Sequence, residues 1–450
     1  MTNQVSKLKG QWMVLTAAFL GWLFDGYEMG LFPVVARPAL KDLLGAAGDE
    51  QVGQWMGVIT ACFLLGAAMG GLVFGWLGDR IGRVKAMASS ILVYSLVTGL
   101  GYFAQTPTHL GMVRFVSALG MGGQWALGVA LVMECWPEKW RPMLAGAMGA
   151  ASNVGFLLVG VTASLHHVTP ESWRWMMVVA AMPAFLVVFI MVAVPESERW
   201  KKSVQTSKSK PVKEVFSRGL RRNTLLAIAF ASVALIGTWG SVQWLPLWAN
   251  QMVSDKGFAE LRQAHPEWYP ADSTSLTAGQ NEARMEQEMS VKKQAGQATA
   301  NIQMIQGIGA IVGTFLAPLM GARLGRRPAY FLLCLASLAV CGFVFRTVHT
   351  YNGLFLVWGL IISATTASFY GWFPLYFPEL FPTRVRATGQ GLSFNFGRVF
   401  AALGAFLQGQ LVAAFDGSYA QAGAIVTLVY LVGMVLIWLA PETKGKPLPE

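Results

Sequence analysis

Residues 75–85 read Gly75-Trp76-Leu77-Gly78-Asp79-Arg80-Ile81-Gly82-Arg83-Val84-Lys85. This string of glycines and charges separates two apolar runs, one ending near residue 77 and one starting near residue 86. Both runs are long enough to cross a bilayer, for which roughly 20 apolar residues suffice. Glycines let the chain turn sharply and neighbouring helices approach. Asp79 can accept hydrogen bonds from a neighbouring helix N-terminus, where the macrodipole favours an anion, and Arg83 is left to pair across the same face. Taken alone, such a string is an ordinary basic loop; its place after the second of many spans makes it more specific.

Working outward, apolar runs recur along all 450 residues, of which 54% are hydrophobic and 13% charged, with a mean hydropathy of +0.48. A soluble chain would carry about 25% charge. Roughly twelve spans fall between residues 12 and 439, so the chain reads as an all-α, multi-pass membrane protein. The first span begins too close to the N-terminus, and runs too long, for a cleaved signal peptide. The net charge of +11 follows from topology. With the N-terminus inside, most lysines and arginines lie in cytoplasmic segments, the arrangement that sets orientation, and both termini are expected in the cytoplasm. No nucleic-acid partner is needed to explain the charge. Cys62, Cys135, Cys334 and Cys341 show no metal or redox spacing, and no cofactor is expected.

Few charges sit well inside the spans. Asp25 and Glu28 lie in the run from about Trp12 to Val35, Arg114 in the fourth span and Arg398 in the eleventh. A charge at the bilayer centre costs at least about 2.5–3.5 kcal/mol on insertion scales, which makes each a functional candidate. Asp25 and Glu28 are three residues apart and share a helical face. The reading pairs Asp25 with Arg114: a guanidinium holds the acid ionised, and separating the two lets a proton bind. A permanent structural ion pair is the alternative, and Glu28 is the second proton candidate or a vestibule residue. Arg398, near the midplane, suits a carboxylate through its planar fork; a structural arginine is the alternative. Asn395 shares its face. Gln124, Asn153, Tyr370, Trp239, Gln243 and Gln306 complete the candidate substrate site.

The chain repeats itself. Glu134, Pro137 and Arg141 recur as Glu379, Pro382 and Arg386, and Gly82-Arg83 recurs as Gly325-Arg326. Near-constant offsets imply two parallel six-helix halves, residues 1–195 and 223–450, joined by a basic linker at 196–222. Asp79, Arg83, Glu134, Arg141, Glu379 and Arg386 are read as a cytoplasmic gate. Its pairs are expected to be exposed, individually weak at about 0–1 kcal/mol, and so easily broken. Ala322 stands where the repeat requires an Asp79 equivalent, so the second lock is expected to be weaker. Residues 250–300 form an enlarged outer loop, read as a tolerated insertion with a short polar helix at 282–293; a lid over the outer mouth is the alternative.

The residue 75–85 string resembles the hallmark loop of the major facilitator superfamily. Arg114 followed by Gly120, Gly122 and Gly123, and the tails Pro195-Glu196-Ser197 and Pro441-Glu442-Thr443-Lys444-Gly445, fit the same family. Asp25-Gly26-Tyr27-Glu28, Gly122-Gly123-Gln124-Trp125, Trp173-Arg174-Trp175 and Asn395-Phe396-Gly397-Arg398 resemble its sialate and aromatic-acid proton symporters, and the sugar-porter likeness is partial. The resemblance implies a monomeric bacterial inner-membrane transporter that imports a small organic anion with protons by alternating access. A sugar or polyol porter and a transporter-like nutrient sensor are the alternatives. Relatives usually carry Glu where this chain has Gln124, which would leave coupling to Asp25 and Glu28. No enzyme motif is present.

Overall fold

A computed structural model describes residues 2–45, 49–165, 168–206, 210–269, 276–415 and 417–450. It is helical throughout, with no strand among the described residues. In chain order the helices are α1 (Thr2–Leu44), α2 (Asp49–Ile81), α3 (Arg83–Leu100), α4 (Pro107–Gly122), α5 (Gln124–Cys135), α6 (Arg141–Leu165), α7 (Arg174–Ala180), α8 (Leu186–Ala193), α9 (Glu198–Thr206) and α10 (Pro211–Val215). They continue as α11 (Arg221–Trp239), α12 (Leu245–Ala264), α13 (Ala278–Leu324), α14 (Arg326–Thr347), α15 (Gly353–Ala367), α16 (Phe369–Leu380), α17 (Arg386–Ala414), α18 (Tyr419–Val426) and α19 (Val429–Leu436). Several spans are helix pairs, as where α4 and α5 form one segment, Pro107–Cys135.

Among the described residues, ten helical segments are long and apolar enough to cross a membrane. The long helices α1 and α17 stand outside that set. They carry Asp25 and Glu28, and Arg398 and Asn395, respectively. Such groups are tolerated in a bilayer where neighbouring helices cover them.

The azimuth of α1 is set by a backbone crossing. A Cβ on Gly26 would lie 2.6 Å from Ser152 Cα of α6, and one on Gly155 would lie 2.6 Å from Tyr27 N. Only glycine at both positions lets α1 and α6 touch this closely, the small-residue packing that membrane helices favour. With Gly26 pressed to α6, Asp25 and Glu28 turn into the bundle, where both are buried.

Gly82 and Gly325 share one conformation, φ 108 with ψ 157 and 162 respectively, which favours glycine. Each precedes a helix whose first N–H groups are bound by a carboxylate from a distant segment. Glu196 accepts from the N–H groups of Arg83 and Val84, and Glu442 from those of Arg326 and Arg327. Carboxylates belong at helix N-termini. Burial pushes the Glu196 carboxyl up, against the pull of its donors and Arg83. At the more exposed Glu442 burial acts the same way, but four backbone N–H groups prevail and hold the carboxyl below its ordinary range.

The 250–300 segment differs from its sequence reading. Instead of a loop bearing one short helix, it is mostly helical. Span seven continues as α12, and α13 runs for 47 residues, about 70 Å at the helical rise. Thr277 and Gln280 form a capping box at the start of α13, and i,i+4 contacts such as Arg284 to Glu288 line the helices. Gly257 of α12 packs on Val291 of α13, and Asn250 donates to Thr299 at 3.3 Å. The result is an antiparallel helical hairpin; residues 270–275 lie outside the described residues.

Candidate functional site

The four intramembrane charges come together in a different pairing from the expected one. Arg114 of α4 is the partner of Glu28, not of Asp25. Its guanidinium binds Glu28 Oε1 and donates to the Glu28 carbonyl at 3.2 Å. Thr98 donates to the same carboxylate at 2.7 Å and Ser117 at 3.3 Å. The guanidinium also lies 4.5 Å from the centre of the Phe63 ring and 5.5 Å from that of Phe32, a cation–π setting. Glu28 is therefore a buried, bonded acid and not a vestibule residue.

Asp25 lies one turn away on α1 and is fully buried, yet neither carboxylate oxygen has a hydrogen-bond partner among the described residues. The charges acting on it are Arg398 and Glu28. Arg398 of α17 is 5% exposed. It donates to Asn395 Oδ1 at 2.9 Å and touches Met29 Sδ at 4.0 Å, and no carboxylate lies within ion-pair distance of it among the described residues. Asn395 is held in turn, donating to the carbonyls of Gly122 and Gly391 at 2.8 and 2.9 Å. It fixes the guanidinium and ties α17 to α4 in one residue.

Aromatic rings surround this pair. The Arg398 guanidinium lies 5.1 Å from the Phe394 ring centre, Trp125 stacks on Phe394 at 4.3 Å, and Trp22 and Tyr370 meet its edges. Gln124 is buried beside Trp125 with its amide unpartnered. The other predicted polar residues have partners of their own or lie at the surface. Tyr370 shares a 2.7 Å hydrogen bond with Thr238. Gln306 donates to the Val242 carbonyl, Trp239 accepts from Trp244, and Asn153 makes a long bond of 3.4 Å within its own helix. Gln243 is exposed. Sequence reasoning missed Tyr94, a buried tyrosine in the field of both acids with an unpartnered hydroxyl. It also missed Gln390 and Phe394, which repeat at four-residue spacing with Arg398.

At the face carrying both chain termini, a second cluster closes the bundle. Asp79 accepts from the N–H groups of Ala387 and Thr388 at 3.2 and 2.8 Å, the helix-terminus contact expected of it. Arg83 pairs with Asp79 and with Glu134, and donates to the Thr383 carbonyl at 2.6 Å. Glu134 also pairs with Arg386 at 2.8 Å. These side chains are buried, not exposed as expected. Their pairing is a desolvated network in which removing one partner strands another. The mirror set is incomplete. Arg326, the repeat of Arg83, binds Glu379 at 2.6 Å. Arg141 pairs with Glu138 at 3.1 Å, with Glu379 reaching it only through its field. No acid replaces Asp79 at Ala322. Arg326, which binds Glu379, was not among the predicted residues although the repeat marked it.

Comparison with known proteins supplies the context. The profile of the Major Facilitator Superfamily matches residues 16–261, and that of the sugar (and other) transporter family matches residues 285–450. A putative metabolite transport protein of Haemophilus influenzae is 27% identical over 100% of both chains. The niacin transporter of Acinetobacter baylyi is 25% identical, covering 98% of this chain and 96% of its own. The solved proton:xylose symporter bound to 6-bromo-6-deoxy-D-glucose superposes with a TM-score of 0.72 at 17% identity, covering 98% of each chain.

Proposed function

This chain belongs to the major facilitator superfamily, a multi-pass membrane transporter, and from that premise we propose that it carries a small organic anion across a bacterial inner membrane together with a proton. The single observation behind this reading is the facing pair Asp25 and Arg398, each buried and neither bonded to an opposite charge. A buried ionised group without a partner is expensive. An anionic cargo offers Arg398 its missing carboxylate, and a proton neutralises the Asp25 that the cargo displaces. Loading both keeps the midplane electrically balanced, which links the two fluxes. Niacin, carried by one relative, is itself a carboxylic acid and fits that class.

The working cycle treats residues 1–195 and 223–450 as two halves that rock about the central pair. Asp79, Arg83, Glu134 and Arg386 are the gate of the termini-bearing, cytoplasmic face, closed here by contacts between residues before and after the linker. Opening requires water to replace these buried partners together. Arg326 and Glu379 stay within the second half and hold its own loop.

A sugar porter is the second reading, favoured by the sugar-transporter profile over residues 285–450. Uptake of labelled nicotinate, benzoate and xylose into proteoliposomes, with and without an inward proton gradient, separates the possibilities. Acid uptake driven by the gradient is expected. Gradient-indifferent uptake removes the coupling, and uptake of xylose alone removes the anion.

A further inference from the structure

The basic linker takes no part in the cycle above, yet its short helix α10 has two contrasting sides. On the inner side α10 is gripped by both halves. Val215 is fully buried against Val385 and Leu392, with Leu72 of α2 beside them. Glu214 accepts from Arg384 at 2.6 Å, and the Val215 carbonyl accepts from Thr224 at 2.7 Å. Arg384 and Val385 immediately precede Arg386, the partner of Glu134. What holds α10 in place therefore steadies the loop that closes this face.

The outer side is uncovered. Val212 and Phe216 are one helical turn apart and 37% and 46% exposed, so they share a face. Lys210, Lys213, Arg218 and Arg221 stand around them, all exposed. Glu214, the one acid between residues 210 and 222, is already engaged by Arg384. An open groove of about 690 Å³ runs along residues 210–218. Arg221 opens a segment, Arg221–Ala264, long and apolar enough to cross a membrane, so residues 210–221 lie where the chain meets the bilayer surface. Apolar side chains ringed by lysine and arginine at that level are the pattern of an interfacial anchor, and each such cation is drawn to anionic headgroups within about a Debye length. A free anion would match the charges and leave Phe216 bare.

We propose that Val212, Phe216, Lys210, Lys213 and Arg218 form a docking surface for anionic phospholipid. The two apolar side chains enter the headgroup boundary and the cations take the headgroup phosphates. So docked, α10 keeps the loop before Arg386 in its closed arrangement. The lipid surface is independent of which cargo is carried.

Hydrogen–deuterium exchange of the full-length protein in nanodiscs tests it, comparing phosphatidylcholine alone with phosphatidylcholine containing phosphatidylglycerol. The amides of Ala387 and Thr388, which Asp79 holds, report the closed gate. These amides and those of residues 212–220 are expected to exchange about tenfold more slowly with phosphatidylglycerol, and added salt is expected to erase the difference. The combined variant Lys210→Gln, Lys213→Gln, Arg218→Gln should abolish it at both segments, while unchanged exchange in the remaining helices shows that the variant is folded. Phe216→Ser should weaken it with every charge in place. Equal exchange in the two kinds of disc overturns the proposal, as it would if an acidic soluble protein were the true occupant. Protection confined to residues 212–220 also overturns it, because the gate would then not feel the lipid. Inorganic phosphate that reproduces the protection in phosphatidylcholine discs would give the cations to a free anion and overturn the lipid surface.

Discussion

Arg114 and Arg398 are both buried arginines on helices of the bundle, but their surroundings are opposite. Arg114 has a carboxylate, that residue's carbonyl and two aromatic faces, and its acid is further bonded by Thr98 and Ser117. Arg398 has one neutral side-chain oxygen, a thioether and a ring. The first arrangement brings an acid to its arginine, and the second does not among the described residues. A sequence scan ranks the two equally as intramembrane cations; the difference lies in whether an acid on α1 faces each of them within bonding reach. Structure thus separates an arginine paired with an acid from one that has none within bonding reach among the described residues.

That contrast can be broken at four points. Glu28→Gln should have the largest effect, because it strands Arg114: a loss of about 3–5 kcal/mol, measured as a fall in thermal unfolding midpoint in detergent. Removing both charges, as Glu28→Gln with Arg114→Gln, should recover most of that loss; a double variant as unstable as the single one would show that the pair is no unit. Asp25→Asn should change stability by less than about 1 kcal/mol, since no hydrogen bond is lost. It should nevertheless abolish gradient-driven accumulation and spare exchange of cargo across the membrane. Accumulation at the native level would remove Asp25 from coupling.

Arg398→Lys sharpens the contrast from the other side. The charge stays but the fork is lost, so acid affinity should fall about tenfold with little change in unfolding; equal affinity would place the anion elsewhere. Asn395→Ala should be mildest, a few-fold weaker binding as the guanidinium loses its support. Its expected signature is a changed affinity with an unchanged proton dependence of uptake, and a shift in that dependence would make Asn395 part of the coupling.

Much of the site was legible because charges are rare in apolar runs. Asp25, Glu28, Arg114 and Arg398 stood out on that ground alone, and the repeat exposed Glu134 and Arg386 as partners of some kind. The pairing was not legible. Asp25 and Glu28 lie less than one turn apart, within the reach of one long arginine, and the choice between them depends on the rotation of α1. The Gly26 and Gly155 crossing fixes that rotation, and neither residue announces its partner 129 positions away. Gln390 escaped notice because an uncharged amide among other glutamines of span eleven carries no signal until its neighbours are known to leave it unbonded. The 250–300 segment misled for a different reason. Its polar composition and prolines resemble a loop, while its helices are sustained by a capping box and contacts between α12 and α13.

The amino-acid order alone settled that this chain spans a membrane many times, that it carries an internal repeat, and which few residues hold charge in apolar surroundings. Those are matters of composition and spacing, which hydrophobic transfer and helix length translate directly into topology. The tertiary structure decided which acid Arg114 meets, that the network at the termini-bearing face is desolvated, and that two buried amides are left unbonded among the described residues. Such choices hang on helix rotation and close approach, which are set by packing between segments far apart in the chain.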